Sequence, residues 1–208
     1  MTKKETILDL LKGEECREEF KRPKGLAYVI ATIAHIGQLR DNDTHYINHP
    51  RNCADMFNKF MTIEGWYKED VIINNGLPCS GVVEVAYLHD VIEDTELSID
   101  DVKDIFKEFG YLDYFNEYID EPLKLITHDK SEDYDTYIDK VLKNPTSSLV
   151  KMFDLTDNMN LFGLSKLEDK ELDRCNRYMH YFKRINDQYH FLEKLVKCRK
   201  EMADAYID

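Results

Sequence analysis

Residues that interrupt helices are scarce in this sequence, which has only five prolines and eight glycines among 208 residues. Between them, the apolar residues recur with the period of an amphipathic helix. The chain has no internal repeat and no low-complexity linker, and its length suits one core better than two. The sequence therefore predicts an all-α bundle that forms a single domain over residues 1–208.

Cysteine pairs of the C-x-x-C type and long apolar runs are also absent. The five cysteines are widely spaced, which argues against a disulfide framework or a cysteine zinc site and favours free thiols. Residues 1–22 are charged throughout, without the apolar core of a signal peptide, and no later run approaches the ~18 apolar residues that span a bilayer. We therefore expect a cytoplasmic protein with no membrane partner.

Positive charge is in deficit, because 28 Lys and Arg residues face 41 Asp and Glu residues, for a formal net charge of -13. This balance disfavours long DNA or RNA as a partner, since a nucleic-acid backbone attracts cations. A small polyanionic substrate remains compatible with it, provided that local Lys, Arg or metal charge reverses the field at its site.

The helical period and the capping signals predict the positions of the helices. Ser98, with Asp101 three residues later, is typical of a helix N-terminus, and Pro50 suits a first helical position. Residues 66–81 predict a loop. Helices are expected at about residues 5–11, 25–39, 50–61, 82–92, 99–109, 111–125, 132–143, 147–162 and, as one or two C-terminal helices, 169–205. Aromatic residues near the end predict packing onto the core, with a homo-oligomer surface as the alternative: Tyr178, Tyr181, Phe182, Tyr189 and Phe191.

The adjacent pair His89 and Asp90 is the strongest chemical signal. A largely apolar run over residues 82–88 leads into it, so the pair lies at the end of a segment that we expect to be buried. A buried Asp needs a partner. Glu93 and Asp94 follow three and four residues after Asp90, so on a helix they can face the same cavity.

Three further clusters accompany this pair in a fixed order. They are His35, Gln38, Arg40, Tyr46 and His49 in HIGQLRDNDTHYINHP, then Glu93 and Asp94 in HDVIEDT, then Asp154 and Asn158 in LVKMFDLTDNMN. Over about residues 27–161, the chain resembles the HD-type hydrolase domain of the Rel/SpoT alarmone synthetase-hydrolases and the small stand-alone alarmone hydrolases. The stretch beyond this core, with C-terminal helices at about 168–206, is too short for a synthetase domain, so the resemblance implies a stand-alone hydrolase.

The resemblance also implies a function and the residues that perform it. The expected reaction is hydrolysis of guanosine 3′,5′-bis(diphosphate) (ppGpp) to GDP and pyrophosphate. Glu93 and Asp94 would position and deprotonate the attacking water, and Arg40 and Asn158 would hold the nucleotide. Mn²⁺ would be held by a set of four ligands: His49, His89, Asp90 and Asp154.

Ligand chemistry independently favours a cation at this place. Mn²⁺, Fe²⁺ and Zn²⁺ all accept mixed imidazole and carboxylate ligands, so the preference for Mn²⁺ rests on the resemblance. If Asp90, Glu93, Asp94 and Asp154 converge, each like-charge pair at ~4 Å costs roughly 4 kcal/mol at an effective dielectric of about 20. A divalent ion would remove most of that cost and acidify water.

Each of these residues also has a purely structural interpretation. His35 is better explained by a hydrogen bond within the bundle than by metal ligation, and Arg40 is open to a salt bridge. Asp154 could instead form an ion pair with Lys151. The Glu93–Asp94 pair could instead lie in solvent at the end of a helix. Asn158 is also consistent with an ordinary surface amide. The other histidines are best explained by exposed or structural roles: His45, His128, His180 and His190.

Three departures from the resembling pattern concern the substrate. Asp41 stands where a basic residue is common, Asp157 where His is common, and Leu155 where Arg is common. These changes weaken the predicted grip on a tetraphosphate. Two alternatives therefore stay open: an HD phosphohydrolase for another nucleotide or dinucleotide phosphate, and a catalytically silent metal-binding helical module.

Overall fold

The computed structural model describes residues 1–62, 68–163 and 166–207. The regular elements in these ranges are all helices, with no β-strand and a single isolated bridge between Leu39 and His45. In chain order the helices are α1 (Lys3–Lys12), a 3-10 turn (Glu18–Lys21), α2 (Pro23–Ala34), α3 (Asn48–Met61), α4 (Glu69–Asn74), α5 (Val82–Leu88), α6 (Val91–Asp94), α7 (Ile99–Glu108), α8 (Leu112–Tyr118), α9 (Asp120–Ile126), α10 (Tyr134–Val141), α11 (Pro145–Asn158), a second 3-10 turn (Leu161–Gly163), α12 (Asp169–Tyr189) and α13 (Phe191–Ile207).

Helix α5 is the centre of the bundle. All seven of its residues are buried, and it packs against α2, α3 and α11. The predicted burial of the run before His89 is therefore confirmed. Gly81 precedes α5 with a φ of 79°, and a Cβ atom there would lie 2.4 Å from the backbone oxygen of Tyr118, so only glycine fits.

The predicted capping signals are borne out with one shift of register. The Ser98 hydroxyl accepts a hydrogen bond from the Asp101 N–H at 3.1 Å, and the Asp101 carboxylate accepts one from the Ser98 N–H at 3.0 Å. Pro50 is the third residue of α3 rather than its first. It still lies in the first turn, where backbone N–H groups have no acceptor within the helix, so the missing N–H of proline costs no hydrogen bond.

Several predicted helix boundaries were wrong. The expected helix over 25–39 ends at Ala34, the one over 82–92 breaks at His89 and Asp90, and the one over 111–125 divides at Ile119. The expected loop over 66–81 contains α4, whose Ile72 is fully buried and which packs against α13; residues 66 and 67 lie outside the described ranges. Ile72 is the one buried residue of this six-residue helix, which is too short for helical periodicity to detect.

The C-terminal helices pack onto the same core, as predicted. Tyr181 and Phe191 are buried, and the Tyr189 hydroxyl donates to the Leu142 carbonyl oxygen at 2.7 Å. All five cysteines are free thiols. None of the described helices combines the length and the hydropathy that a transmembrane span requires.

Candidate metal centre

A cavity of about 620 Å³ opens between α3, α6, α11 and α12, and it collects the polar residues that the motifs singled out. The break after α5 turns the chain at His89 and Asp90, so that both side chains reach the cavity instead of following the helix. Eight predicted site residues line it: Arg40, His49, His89, Asp90, Glu93, Asp94, Asp154 and Asn158.

The four predicted ligands converge at one end of this cavity. The His49 Nε2 atom lies 3.0 Å from Asp154 Oδ1, 3.5 Å from Asp90 Oδ2 and 3.3 Å from His89 Nε2. The His89 Nε2 atom lies 3.2 Å from Asp90 Oδ1 and 3.8 Å from Asp154 Oδ1. Two imidazole nitrogens and two carboxylates, delivered by α3, α11 and the turn between α5 and α6, thus face one another.

Both imidazole rings are held through their other nitrogen. His89 Nδ1 contacts the Ala86 carbonyl oxygen at 2.8 Å, and His49 Nδ1 contacts Asp157 Oδ2 at 2.7 Å. In the neutral imidazole, each acceptor favours the proton on Nδ1, so that Nε2 is the nitrogen that can bind a cation at the cluster.

Charge in the cluster is balanced by close opposite partners. Burial opposes the charge of Asp154, but Lys151 and the two histidines outweigh it and hold the pKa of this carboxyl well below its usual range. Burial acts against Asp90 in the same way, and His89 and His49 lower its pKa. Both carboxylates of the predicted ligand set are therefore ionised at neutral pH.

A buried thiol lies beside the two imidazoles. Ligand atoms of His49, Cys53 and His89 all lie within 4.8 Å of one another, so these three residues form a cluster that could hold a metal ion. Burial, and then the charges of Asp154, Asp157 and Asp90, raise the pKa of the Cys53 thiol. A protonated thiol is a poor ligand, so the ionised carboxylates are the better partners for the imidazoles.

Glu93 and Asp94 lie on α6 at the cavity wall. Glu93 accepts a hydrogen bond from the backbone N–H of His128 at 3.1 Å, and burial raises its pKa. Asp94 accepts from the Tyr46 hydroxyl at 3.0 Å and lies 3.2 Å from the Lys130 ammonium. The Tyr46 hydroxyl is also 2.9 Å from Asp90, so this phenol bridges a predicted ligand and a predicted catalytic carboxylate.

Arg40 and Asn158 contact each other and the ligand set. Arg40 donates to Asp157 and to the Asn158 side-chain oxygen, both at 2.7 Å, while the Asn158 amide donates to Asp154 Oδ1 at 2.5 Å. The salt bridge and the Lys151 pairing that the sequence left open both exist. His35 hydrogen-bonds Gln38 at 2.6 Å, as the structural interpretation predicts.

Sequence reasoning missed several residues of the cavity. The sequence suggests Lys151 only as an alternative partner of Asp154, and His128 only as exposed or structural, although both line the wall. Asp157 suggests a lost cationic contact in the sequence, whereas in the structure it is a buried partner of His49. Asn52, which donates to Asp157 at 2.8 Å, carried one weak signal: it lies one helical turn after His49.

Comparison with known proteins bears on the fold. No family model matches the sequence. Among solved structures, the chain is similar to one described as a metazoan ortholog of SpoT that hydrolyses ppGpp, with a TM-score of 0.55 and 20% identity over 86% of this chain and 95% of that chain. The predicted all-α bundle is thus confirmed, and the chain shares the fold of that structure.

Proposed function

We propose that this protein is a metal-dependent phosphohydrolase that converts ppGpp to GDP and pyrophosphate. The observation that carries the proposal is the convergence of His49, His89, Asp90 and Asp154, whose nitrogen and oxygen atoms face each other at 3.0 to 3.8 Å. The likeness to a ppGpp-hydrolysing SpoT ortholog supports the hydrolase assignment.

The donor set fits a divalent transition metal. Mixed imidazole and carboxylate ligands suit Mn²⁺, Fe²⁺ and Zn²⁺, and the Nδ1 contacts of both histidines prepare Nε2 for ligation. Mn²⁺ is our choice, on the resemblance of the motifs. When bound, such an ion would lower the pKa of water and polarise a phosphoryl oxygen.

Glu93 and Asp94 are proposed to orient the attacking water and to accept its proton. Burial raises the pKa of Glu93, which brings its basicity closer to that required of a general base at neutral pH. The Tyr46 hydroxyl contacts both Asp94 and Asp90, so it fixes the position of the proposed proton acceptor, Asp94, relative to the proposed ligand, Asp90.

Arg40 and Asn158 are proposed to hold the nucleotide from the cavity wall. Each uses part of its hydrogen-bonding capacity inside the protein, and the remaining guanidinium and amide N–H groups are available to phosphate or ribose oxygens. Lys151 lies in the same wall, although Asp154 neutralises most of its charge.

A second candidate keeps the site and changes the substrate to another nucleotide or dinucleotide phosphate. One contact favours it: the carboxylate of Asp157 neutralises Arg40 at 2.7 Å, and the exposed Asp41 adds another negative charge to the wall. Both reduce the attraction for a heavily charged tetraphosphate. A silent metal-binding module is the third candidate, for which the same ligands would be structural.

The test is a product assay on chelator-stripped protein with and without Mn²⁺. The substrates are ppGpp, ordinary nucleotides and dinucleotide phosphates, and the matched control is His89→Gln, which removes one ligand. Mn²⁺-dependent release of GDP and pyrophosphate by wild type but not by the control is expected. Turnover of a different substrate alone would replace ppGpp by the second candidate, and metal binding without any turnover would favour the silent module.

A further inference from the structure

Asp157 is a carboxylate beside the four-residue cluster with three side-chain partners. It lies on α11 three residues after Asp154 and is 8% exposed. Its Oδ2 atom is 2.7 Å from both His49 Nδ1 and the Arg40 guanidinium, and its Oδ1 atom accepts from the Asn52 amide at 2.8 Å. Three donors from two other segments therefore fix this carboxylate in one orientation.

The two histidines of the cluster are supported in different ways. His89 Nδ1 faces a neutral backbone oxygen, that of Ala86, at 2.8 Å, whereas His49 Nδ1 faces the carboxylate of Asp157 at 2.7 Å. A carboxylate acceptor fixes the tautomer of an imidazole, limits rotation of its ring and makes the opposite nitrogen a stronger electron donor. His49 is therefore the imidazole with the stronger external support.

Arg40 connects this support to a second ligand. Its guanidinium spans Asp157 and Asn158, and the Asn158 amide donates to Asp154 Oδ1 at 2.5 Å. One cation thus orients His49 through Asp157 and Asp154 through Asn158. It also balances the extra negative charge that Asp157 brings to the buried cluster.

We propose that Asp157 is a positioning residue that sets the tautomer and orientation of His49 and thereby raises the affinity of the cluster for a divalent ion. This inference rests on the metal site of the proposed function. In the sequence, Asp157 stands where His is common, which by itself suggests only weaker binding of the substrate. The proposal instead gives Asp157 a role in holding the metal site.

The experiment compares the Mn²⁺ affinities of wild type, Asp157→Asn and Asp55→Asn, followed by the electron paramagnetic resonance of free Mn²⁺. Asp157→Asn keeps the size of the side chain and removes its charge, while Asp55→Asn makes the same change at an exposed position of α3. We expect Asp157→Asn to bind Mn²⁺ about 10- to 100-fold more weakly, as other partners of metal-bound histidines do. We expect Asp55→Asn to match wild type.

A second measurement separates positioning from general stability. The visible absorption of the Co²⁺-loaded protein depends on the ligand field, so Asp157→Asn is expected to shift the bands while Asp55→Asn leaves them unchanged. Should Asp157→Asn fail to fold, Asn52→Ala serves instead, because it removes one donor from Asp157 and leaves the His49 contact in place. Its expected loss of affinity is smaller and in the same direction.

The outcomes distinguish the two levels of the proposal. Wild-type affinity and unshifted Co²⁺ bands in Asp157→Asn would overturn the positioning role and leave the metal site standing. Failure of wild-type protein to bind Mn²⁺ or Co²⁺ at all would overturn the proposed function and the positioning role together.

Discussion

Lys151 and Asp154 form a buried ion pair, in which the ammonium lies 2.7 Å from Asp154 Oδ2 and the side chains are 11% and 6% exposed. The ammonium also lies over the rings of Tyr137 and Tyr134, at 4.9 and 5.6 Å from their centroids. Because Lys151 contacts Oδ2 and the imidazoles face Oδ1, the pair leaves one carboxylate oxygen of Asp154 to the cluster.

Removal of Asp154 should destabilise the metal-free protein severely. In Asp154→Ala, the Lys151 ammonium stays buried without its counter-ion, and breaking a buried pair in this way costs about 3 to 5 kcal/mol. Urea unfolding in the presence of a chelator measures the free energy of unfolding without a metal contribution.

The control for this prediction is Lys151→Met combined with Asp154→Leu. Replacing both members leaves no unpaired ammonium at this position, so the double variant is expected to recover most of the lost stability. A double variant no more stable than Asp154→Ala would show that the unpaired ammonium is not the cause of the loss.

The Glu93–Asp94 pair should be needed for turnover and not for metal binding. In Glu93→Ala/Asp94→Ala, the water loses its proposed base, and general-base catalysis contributes roughly 100- to 10,000-fold. Steady-state rates at saturating Mn²⁺ and Mn²⁺ affinities are measured on the same preparations. Glu96→Ala, at an exposed carboxylate three residues after Glu93, is the matched control. Wild-type turnover in the double variant would remove the role given to this pair.

The site residues that could be predicted from the sequence lie in short motifs. His89, Asp90, Glu93 and Asp94 fall within six residues, and the apolar run before them identified the buried helix that carries the pair. The turn that separates α5 from α6 was missed, because helical periodicity continues across it and only the backbone angles at Asp90 reveal the break.

The role of Asp157 could not be predicted because its partners are distant in the chain. It contacts His49 across 108 residues and Arg40 across 117, and no local pattern specifies such a pair. Viewed within the motif alone, Asp157 is one more negative charge. Its effect on the cluster depends on the packing of α11 against α3, which brings these side chains together.

Glu84 should destabilise the protein at neutral pH. It is a buried carboxyl on α5 whose hydrogen bond from the Tyr114 hydroxyl is 3.3 Å long, and burial raises its pKa above the ordinary 4.5. The folded state then binds a proton more tightly than the unfolded state, so the free energy of unfolding falls as pH rises from 4.5 through the folded pKa. Glu84→Gln is therefore expected to unfold at higher urea concentration than wild type at pH 7.

The pH dependence provides the check on this prediction. At pH 4, below the ordinary pKa of 4.5, the carboxyl is mostly protonated in both states, so most of the advantage of Glu84→Gln should disappear. Glu121→Gln, an exposed acidic residue in the first turn of α9, is the matched control. An advantage that persists unchanged at pH 4 would mean that ionisation of Glu84 is not its source.

Protons and metal should compete for His49. In the metal-free protein, burial opposes its charge, but hydrogen bonds to Asp154 and Asp157 and the field of Asp90 outweigh it and raise the pKa of His49 to about 9. The protonated imidazole stabilises the metal-free fold fully below pH 6.5, and this stability is lost as pH rises through about 9. Ligation needs the deprotonated Nε2, so Mn²⁺ affinity should rise by up to about tenfold per pH unit over the same window. Titrations at pH 6.5, 7.5 and 8.5, paired with urea unfolding in chelator, measure both trends. An Mn²⁺ affinity independent of pH would contradict a protonated His49 in the metal-free cluster.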